Sequence, residues 1–310
     1  MGIGARIEVE KKEVEVINPD NVNLIFPKFS LSDLIIPETT SSSIADFLAY
    51  KKHEELIFGK WGLSKTHNHH RQTAINFYGM PGTGKTMAAH AIAKELKQSL
   101  IIVDYASLES KYVGETSKNI SEIFRKAKEQ QAIIFFDEAD AILSRRVTNM
   151  SHATDVSVNQ TRSVLLTLMN DYQGLIIFTT NFIENYDPAF MRRILAHIHF
   201  ELPDFECRVK LWQQYIPDTL PHQIEMNALA EISETLSGSD ISNCVLKAAM
   251  SAARQDDISL KFKHFKQAVD EVLLSKAANL KQDIKIEKRI VSEEYVKSKV
   301  GETKMQEMKA

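Results

Sequence analysis

Five short apolar runs set apart by helical patterns restrict this chain more than any other feature. They are AINFY (Ala74–Tyr78), LIIVD (Leu100–Asp104), AIIFFD (Ala132–Asp137), GLIIFTTN (Gly174–Asn181) and HIHFEL (His197–Leu202). Strands that are apolar almost throughout have to be covered on both faces, so the alternation predicts an α/β fold around a parallel sheet. After Pro203 only helical patterns follow. One spans Met226–Leu236; a second is striped by Ile241, Cys244, Val245, Ala248 and Ala252 and opened by Ser239 or Asp240; a third is striped by Phe262, Phe265, Val269, Val272 and Leu273. The expected organisation is a short N-terminal segment (1–28), a large α/β domain (29–203), a small helical domain (204–275) and a charged C-terminal tail (276–310). Ahead of the first run, the alternation over Ile7–Val16 predicts a short strand or hairpin. The hydroxyl cluster Thr39–Ser43 predicts a capped helix that buries Ile44, Phe47 and Leu48. Thr66–Arg71, with His67, His69 and His70, reads as a solvated loop, because no carboxylate or cysteine accompanies the histidines at ligand spacing.

Composition narrows the function classes. The 310 residues are 44% hydrophobic and 25% charged, the balance of a soluble globular protein with a full core. No apolar run approaches the roughly 18 to 20 residues that cross a bilayer, and the N-terminus has no apolar stretch behind its charges, so a cytoplasmic protein with no membrane partner is expected. Two cysteines, Cys207 and Cys244, supply neither a disulfide framework nor a cysteine-based zinc site. A net charge of -3 weighs against general attraction to nucleic acid.

GMPGTGKT (Gly79–Thr86) stands between the first apolar run and a helical pattern over Met87–Gln98, the context in which a phosphate-binding loop works. Gly79, Gly82 and Gly84 let the backbone wrap an anion, with Pro81, Thr83 and Met87 completing the stretch, so that amide N–H groups and the helix N-terminus meet the phosphates. Lys85 supplies a cation for the β- and γ-phosphate oxygens, and the Thr86 hydroxyl a ligand for Mg²⁺. IIFFDEAD puts Asp137 and Glu138 at the end of a strand, where open α/β sheets bind ligands. Asp137 would hold Mg²⁺ through water and Glu138 would act as general base on the attacking water. The cofactors expected are ATP and Mg²⁺.

Together these motifs resemble the AAA-type ATPases of the AAA+ superfamily, in particular the protein-remodelling branch, over roughly Phe29–Leu274. The resemblance implies a parallel-sheet P-loop NTPase large domain followed by a small all-helical lid. It makes Asn181, at the end of TTN, the sensor of the γ-phosphate. Arg192 and Arg193 of DPAFMRR become arginine fingers that reach a neighbouring subunit's nucleotide. Many relatives carry a further arginine where this chain reads ILAHIHF, so which of the two is the main finger stays open. Gly238 and Ser239 of LSGSDI would close the lid over adenine and ribose, and no sensor-2 arginine stands in that turn. KYVGET matches the first pore loop, with Tyr112 and Val113 gripping a threaded polypeptide and Gly114 turning the loop; Arg145–Val158, without a clear period, lies where the second pore loop would be. The metallopeptidase pattern HExxH is absent, and the closing KMQEMKA does not match the hydrophobic-tyrosine tail of proteasome-activating relatives.

The expected function is an ATP-hydrolysing remodeller or unfoldase, a ring hexamer favoured by ATP that pulls a protein substrate, alone or with an adaptor, through its pore. Two other readings remain: a nucleic-acid-handling motor or loader, and a nucleotide-dependent scaffold or switch. Taken singly, each motif also has a plainer reading. Asp137 and Glu138 could be a solvated strand end, Asn181 a turn cap, the arginines a helix-end pair, Gly238–Asp240 a helix cap, and Tyr112–Val113 a locally packed pair.

Overall fold

The computed structural model describes residues 24–67, 73–104, 116–144, 153–181, 186–222 and 224–283. The strands are β1 (Leu24–Ile25), β2 (Thr73–Tyr78), β3 (Leu100–Asp104), β4 (Ile133–Asp137), β5 (Leu175–Thr180) and β6 (Ala196–His199). The longer helices are α1 (Glu38–Lys52), α2 (Lys85–Glu95), α3 (Thr116–Gln130), α4 (Ala153–Asp171), α5 (Phe205–Tyr215), α6 (Met226–Ile232), α7 (Gly238–Arg254) and α8 (Phe262–Asp283). Among the described residues the sheet runs β1-β3-β4-β5-β2-β6, and every pairing is parallel except that of β1 with β3. All five apolar runs are therefore parallel strands; β1, two residues at the edge, has too little pattern to be anticipated.

Burial on both faces follows from the strand pattern. In β4, Ile133 to Phe136 are all buried, and because side chains alternate they divide between two layers. Ile134 and Phe136 join Phe178, Ile120, Phe124 and Leu165 beneath α3 and α4. Ile133 and Phe135 join Ile75, Phe77, Ile92 and Phe47 beneath α1 and α2. The hydroxyls of Thr39–Ser43 do not cap α1 as expected. Pro37 occupies the N-cap position, and the cluster lies within the helix. Its oxygens serve elsewhere: Thr40 Oγ1 donates to the His199 carbonyl at 2.8 Å, tying α1 to β6, and Ser43 Oγ donates to the Thr39 carbonyl at 2.9 Å.

A third apolar cluster belongs to the C-terminal helices and is centred on Trp212, Leu229, Leu236, Ile241, Cys244 and Phe265. Its first helix, α5, has no counterpart among the helical stretches named from sequence. Its signal was a single residue, Asp204, whose carboxylate accepts from the Cys207 N–H at 2.8 Å. The cap of α7 is Ser237, earlier than the Ser239 or Asp240 expected, and it forms a reciprocal box with Asp240. Helix α8 continues through the expected boundary at 275 to Asp283. No helix among the described residues is long and apolar enough to cross a membrane. His67 is exposed, while His69, His70 and the alternating Ile7–Val16 lie outside the described residues.

Strand order positions the site. β2 lies between β5 and β6, with Tyr78 opposite both Thr180 and His199, and β4 lies on the far side of β5. The segments that leave β2, β4 and β5 therefore emerge side by side at one edge: the glycine-rich loop, Asp137–Glu138 and Asn181.

Candidate nucleotide site

The loop that follows β2 is held by two close approaches. Gly79 has φ 144°, and a Cβ there would lie 2.2 Å from the Phe200 carbonyl oxygen. Gly82 has φ 76°, and a Cβ there would meet Ser237 Oγ at 2.7 Å and Ser239 Oγ at 2.8 Å. Only glycine lets the strand end pass Phe200 and lets Ser237 and Ser239 of the C-terminal helices rest on the loop.

Lys85 opens α2 and is 9% exposed. Its Nζ donates to the carbonyls of Gly79 (2.7 Å) and Met80 (3.0 Å) and to Asn181 Oδ1 (3.2 Å). Burial pushes its pKa below the ordinary lysine value, and the carboxylates of Asp137, Asp140 and Glu138 work against that shift. A cation so placed gains more from an incoming polyphosphate than an exposed lysine would, because its own charge is partly desolvated already.

Thr86 Oγ1 donates to Asp137 Oδ2 at 3.1 Å, and the other carboxylate oxygen of Asp137 accepts from the Thr179 hydroxyl. A hydroxyl and a carboxylate oxygen are the hard donors Mg²⁺ prefers, whether bound directly or through water. The pair fits that ion. Glu138 is exposed, with φ 51°, and its N–H donates to Asp137 Oδ1 (3.2 Å) and Thr179 Oγ1 (3.1 Å), which holds the backbone in this less common left-handed turn. Its side chain lines a cavity of about 200 Å³ together with Pro81, Lys85, Thr86, Asp137 and Asn181.

The same loop borders a second cleft, of about 320 Å³, that it shares through Gly82, Lys85 and Thr86. Thr83, Gly84 and Met87 lie on its wall with Gly238 and Ser239. Its apolar side is formed by Leu34, Ile36, Pro203, Leu211 and Tyr215, a volume and lining suited to a base and sugar. The segment Leu34–Ile36 was not expected in the site. Nothing in its sequence marks it apart from other apolar residues near a proline.

Two further residues escaped the sequence reading. The Asp140 carboxylate accepts from the Asn181 N–H at 3.2 Å and so positions that side chain against Lys85. Thr179 fixes Asp137. Their signals, the last acid of DEAD and the first Thr of TTN, were present in motifs already noted.

The two arginines separate. Arg193 is partly buried and tied to its own chain, with Nε donating to Asn170 Oδ1 (2.7 Å) and a terminal guanidinium nitrogen to the Ala189 carbonyl (2.8 Å). Arg192 is exposed, and its guanidinium makes no hydrogen bond or ion pair among the described residues. Neither lines either cleft. His197, in the ILAHIHF stretch, lies in β6, with a ring nitrogen 3.5 Å from Asn76 Nδ2, and burial lowers its pKa. Tyr112, Val113 and Gly114 lie outside the described residues, as do residues 145–152. From Ala153 the stretch expected to lack a period is helical.

A mostly parallel sheet that gathers a glycine-rich loop, a hydroxyl–carboxylate pair and a strand-end asparagine at one edge, followed by a helical C-terminal region, defines a P-loop nucleotide-binding fold. Residues 75–202 match the AAA family, the ATPases associated with various cellular activities. It is 35% identical over 207 residues to the proteasome-activating nucleotidase of Archaeoglobus fulgidus, an alignment that covers 64% of this chain and 52% of that protein. It is 34% identical over 218 residues to the cell division cycle protein 48 homolog of the same organism, covering 64% and 30%. The chain thus spans about half the length of the proteasome-activating relative. Among solved structures, the FIGL-1 AAA domain superposes with a TM-score of 0.65 at 24% identity, over 83% of this chain and 91% of that one, a likeness of fold.

Proposed function

We propose that this chain binds ATP with Mg²⁺, hydrolyses it, and uses the cycle to remodel other proteins, with 29–203 as the nucleotide-binding unit and 204–275 as its lid. The observation that carries the reading is the contact of Lys85 with both the loop carbonyls and Asn181, beside the Thr86–Asp137 pair. The phosphates of ATP take over the Lys85 contacts. Thr86 and Asp137 would hold Mg²⁺, which would supply charge neutralisation for the phosphate oxygens. Asn181, oriented through its main chain by Asp140, is left to hold the γ-phosphate or the attacking water. Glu138 accepts a proton from that water as its oxygen bonds to phosphorus and ADP leaves. Similarity to a protein named proteasome-activating nucleotidase supports polypeptides as the substrate class.

The exposure of Arg192 supports a ring in which it reaches the next subunit's nucleotide while Arg193, tied to Asn170 and Ala189, holds the turn. Each bound ATP would then contact two chains and favour the assembled state. A protein carrying both Arg192→Ala and Arg193→Ala is expected to bind ATP yet hydrolyse it about 10³-fold more slowly, because the finger charge is missing. Mixed with Lys85→Ala chains, it should regain turnover, since the latter lend arginines to sites that can bind ATP. A mixture as inactive as its components, with only monomer in sedimentation at saturating ATP, would remove the shared-site reading.

Tyr112 tests the pulling step. Tyr112→Ala should keep ATP turnover within a few-fold of the parent while abolishing ATP-dependent unfolding of a tagged fluorescent protein; the loss of an aromatic grip leaves the chemistry intact. Unfolding at the parental rate would rule out this grip. A salt-dependent shift of labelled oligonucleotide by the parent would favour a nucleic-acid motor.

A further inference from the structure

We propose that Lys276 is a positioning residue for nucleotide binding, acting through Asp240 and Ser237 on the phosphate-loop residue Gly82; the proposal rests on the nucleotide site described above. Helix α7 touches the loop through its first turn. Ser237 Oγ sits where a Cβ on Gly82 would be 2.7 Å away, and the Ser239 N–H donates to the Gly82 carbonyl at 3.3 Å. Whatever fixes that turn also fixes where the lid meets the loop.

The turn is held by a reciprocal box, whose Asp240 N–H donates to Ser237 Oγ at 3.4 Å, and by one carboxylate oxygen that gathers three donors. Asp240 Oδ2 accepts from the Ser237 N–H at 2.9 Å, from Ser237 Oγ at 2.8 Å and from Lys276 Nζ at 2.5 Å. Three donors on one oxygen call for the full charge of a carboxylate. Burial alone would raise the pKa of this group, and the bonds from Lys276 and Ser237 outweigh that, leaving it below the ordinary value. Lys276 comes from α8, 36 positions further along the chain, and its Nζ also donates to the Thr235 carbonyl at 3.1 Å. It therefore spans the turn from Thr235 to Asp240.

Packing of α8 on α7 does not depend on this contact. Phe265, Ala268 and Val269 of α8 share one buried apolar cluster with Cys244 and Ala248 of α7, and Lys247 pairs with Glu271 at 3.1 Å. Removing the Lys276 charge should thus free the turn without unseating the helix. The loss would appear in nucleotide affinity, since the turn borders the cleft at Gly238 and Ser239 and the hydrolytic residues lie at the other end.

The test uses the full chain and a fluorescent ADP analogue, with ATP turnover and thermal unfolding measured on the same samples. Lys276→Met should weaken binding about five- to tenfold, as expected when a charge-assisted bond that acts indirectly is lost. Turnover at saturating ATP should be unchanged, and Lys276→Arg should bind like the parent. Asp240→Asn, which retains an acceptor for Ser237 and removes the charge, should weaken binding similarly, and adding Lys276→Met to it should cost nothing more. Parental affinity in Lys276→Met, with or without a lower melting temperature, would overturn the proposal and leave the nucleotide site standing. A parent that binds no nucleotide would overturn the site and the proposal together.

Discussion

Lys85→Ala should bind Mg·ATP at least a hundredfold more weakly than the parent and show no measurable turnover, while remaining folded. The side chain supplies the buried cation of the loop, and its Nζ holds the Gly79 and Met80 carbonyls and Asn181 until phosphates replace them. Hydrogen bonds involving a charged group are each worth about 1.5–3 kcal/mol, so losing two to the phosphates costs about 3 kcal/mol or more, which is the hundredfold. Stability should change little in the empty protein. Burial already pushes the lysine toward its neutral form, so removing it relieves a desolvation cost, while the freed carbonyls at the cleft can bond water. Fluorescent-nucleotide titration beside a melting curve separates the two effects.

Glu138→Gln should keep nucleotide affinity within a few-fold and lower the hydrolytic rate by about 10²–10⁴, the range a general base contributes. The glutamine amide fills the same volume and still bonds water, but it cannot take up a proton. The turn should survive, because it is held by main-chain bonds from the Glu138 N–H to Asp137 and Thr179 rather than by the side chain. Turnover close to the parent's would move the base to another residue. Such a form, loaded with ATP and slow to release it, would also suit capture of the protein substrate.

How far the sequence revealed this arrangement depended on whether the information was local. The five strands were legible because each is apolar throughout, as Ile133–Phe136 shows. Lys85, Thr86, Asp137, Glu138 and Asn181 were legible because each sits inside a compact motif at the end of a strand. Contacts across many residues are not legible as contacts, even where the residues themselves stand in a motif. Asp140 meets Asn181 across 41 positions, and the apolar wall at Leu34–Ile36 faces Tyr215 only after the lid has folded. In the cap of α7, Ser237, Ser239 and Asp240 can all cap a helix, and the packing of Ser237 against Gly82 selects among them. The arginines look equivalent in sequence, and it is the bonds of Arg193 to Asn170 and the Ala189 carbonyl that distinguish it from Arg192. Lys276 read as the start of a charged tail because the apolar stripe of α8 fades there, whereas its partner, Asp240, lies on another helix.

Binding and hydrolysis at the proposed nucleotide site should depend on different, separable residues. This dependence is tested most directly by measuring ATP binding and phosphate release on the same preparations of the parent, Lys85→Ala and Glu138→Gln. The parent should bind ATP and release phosphate, Glu138→Gln should bind without release, and Lys85→Ala should do neither. Phosphate release that persists at the parental rate in both variants would contradict this dependence.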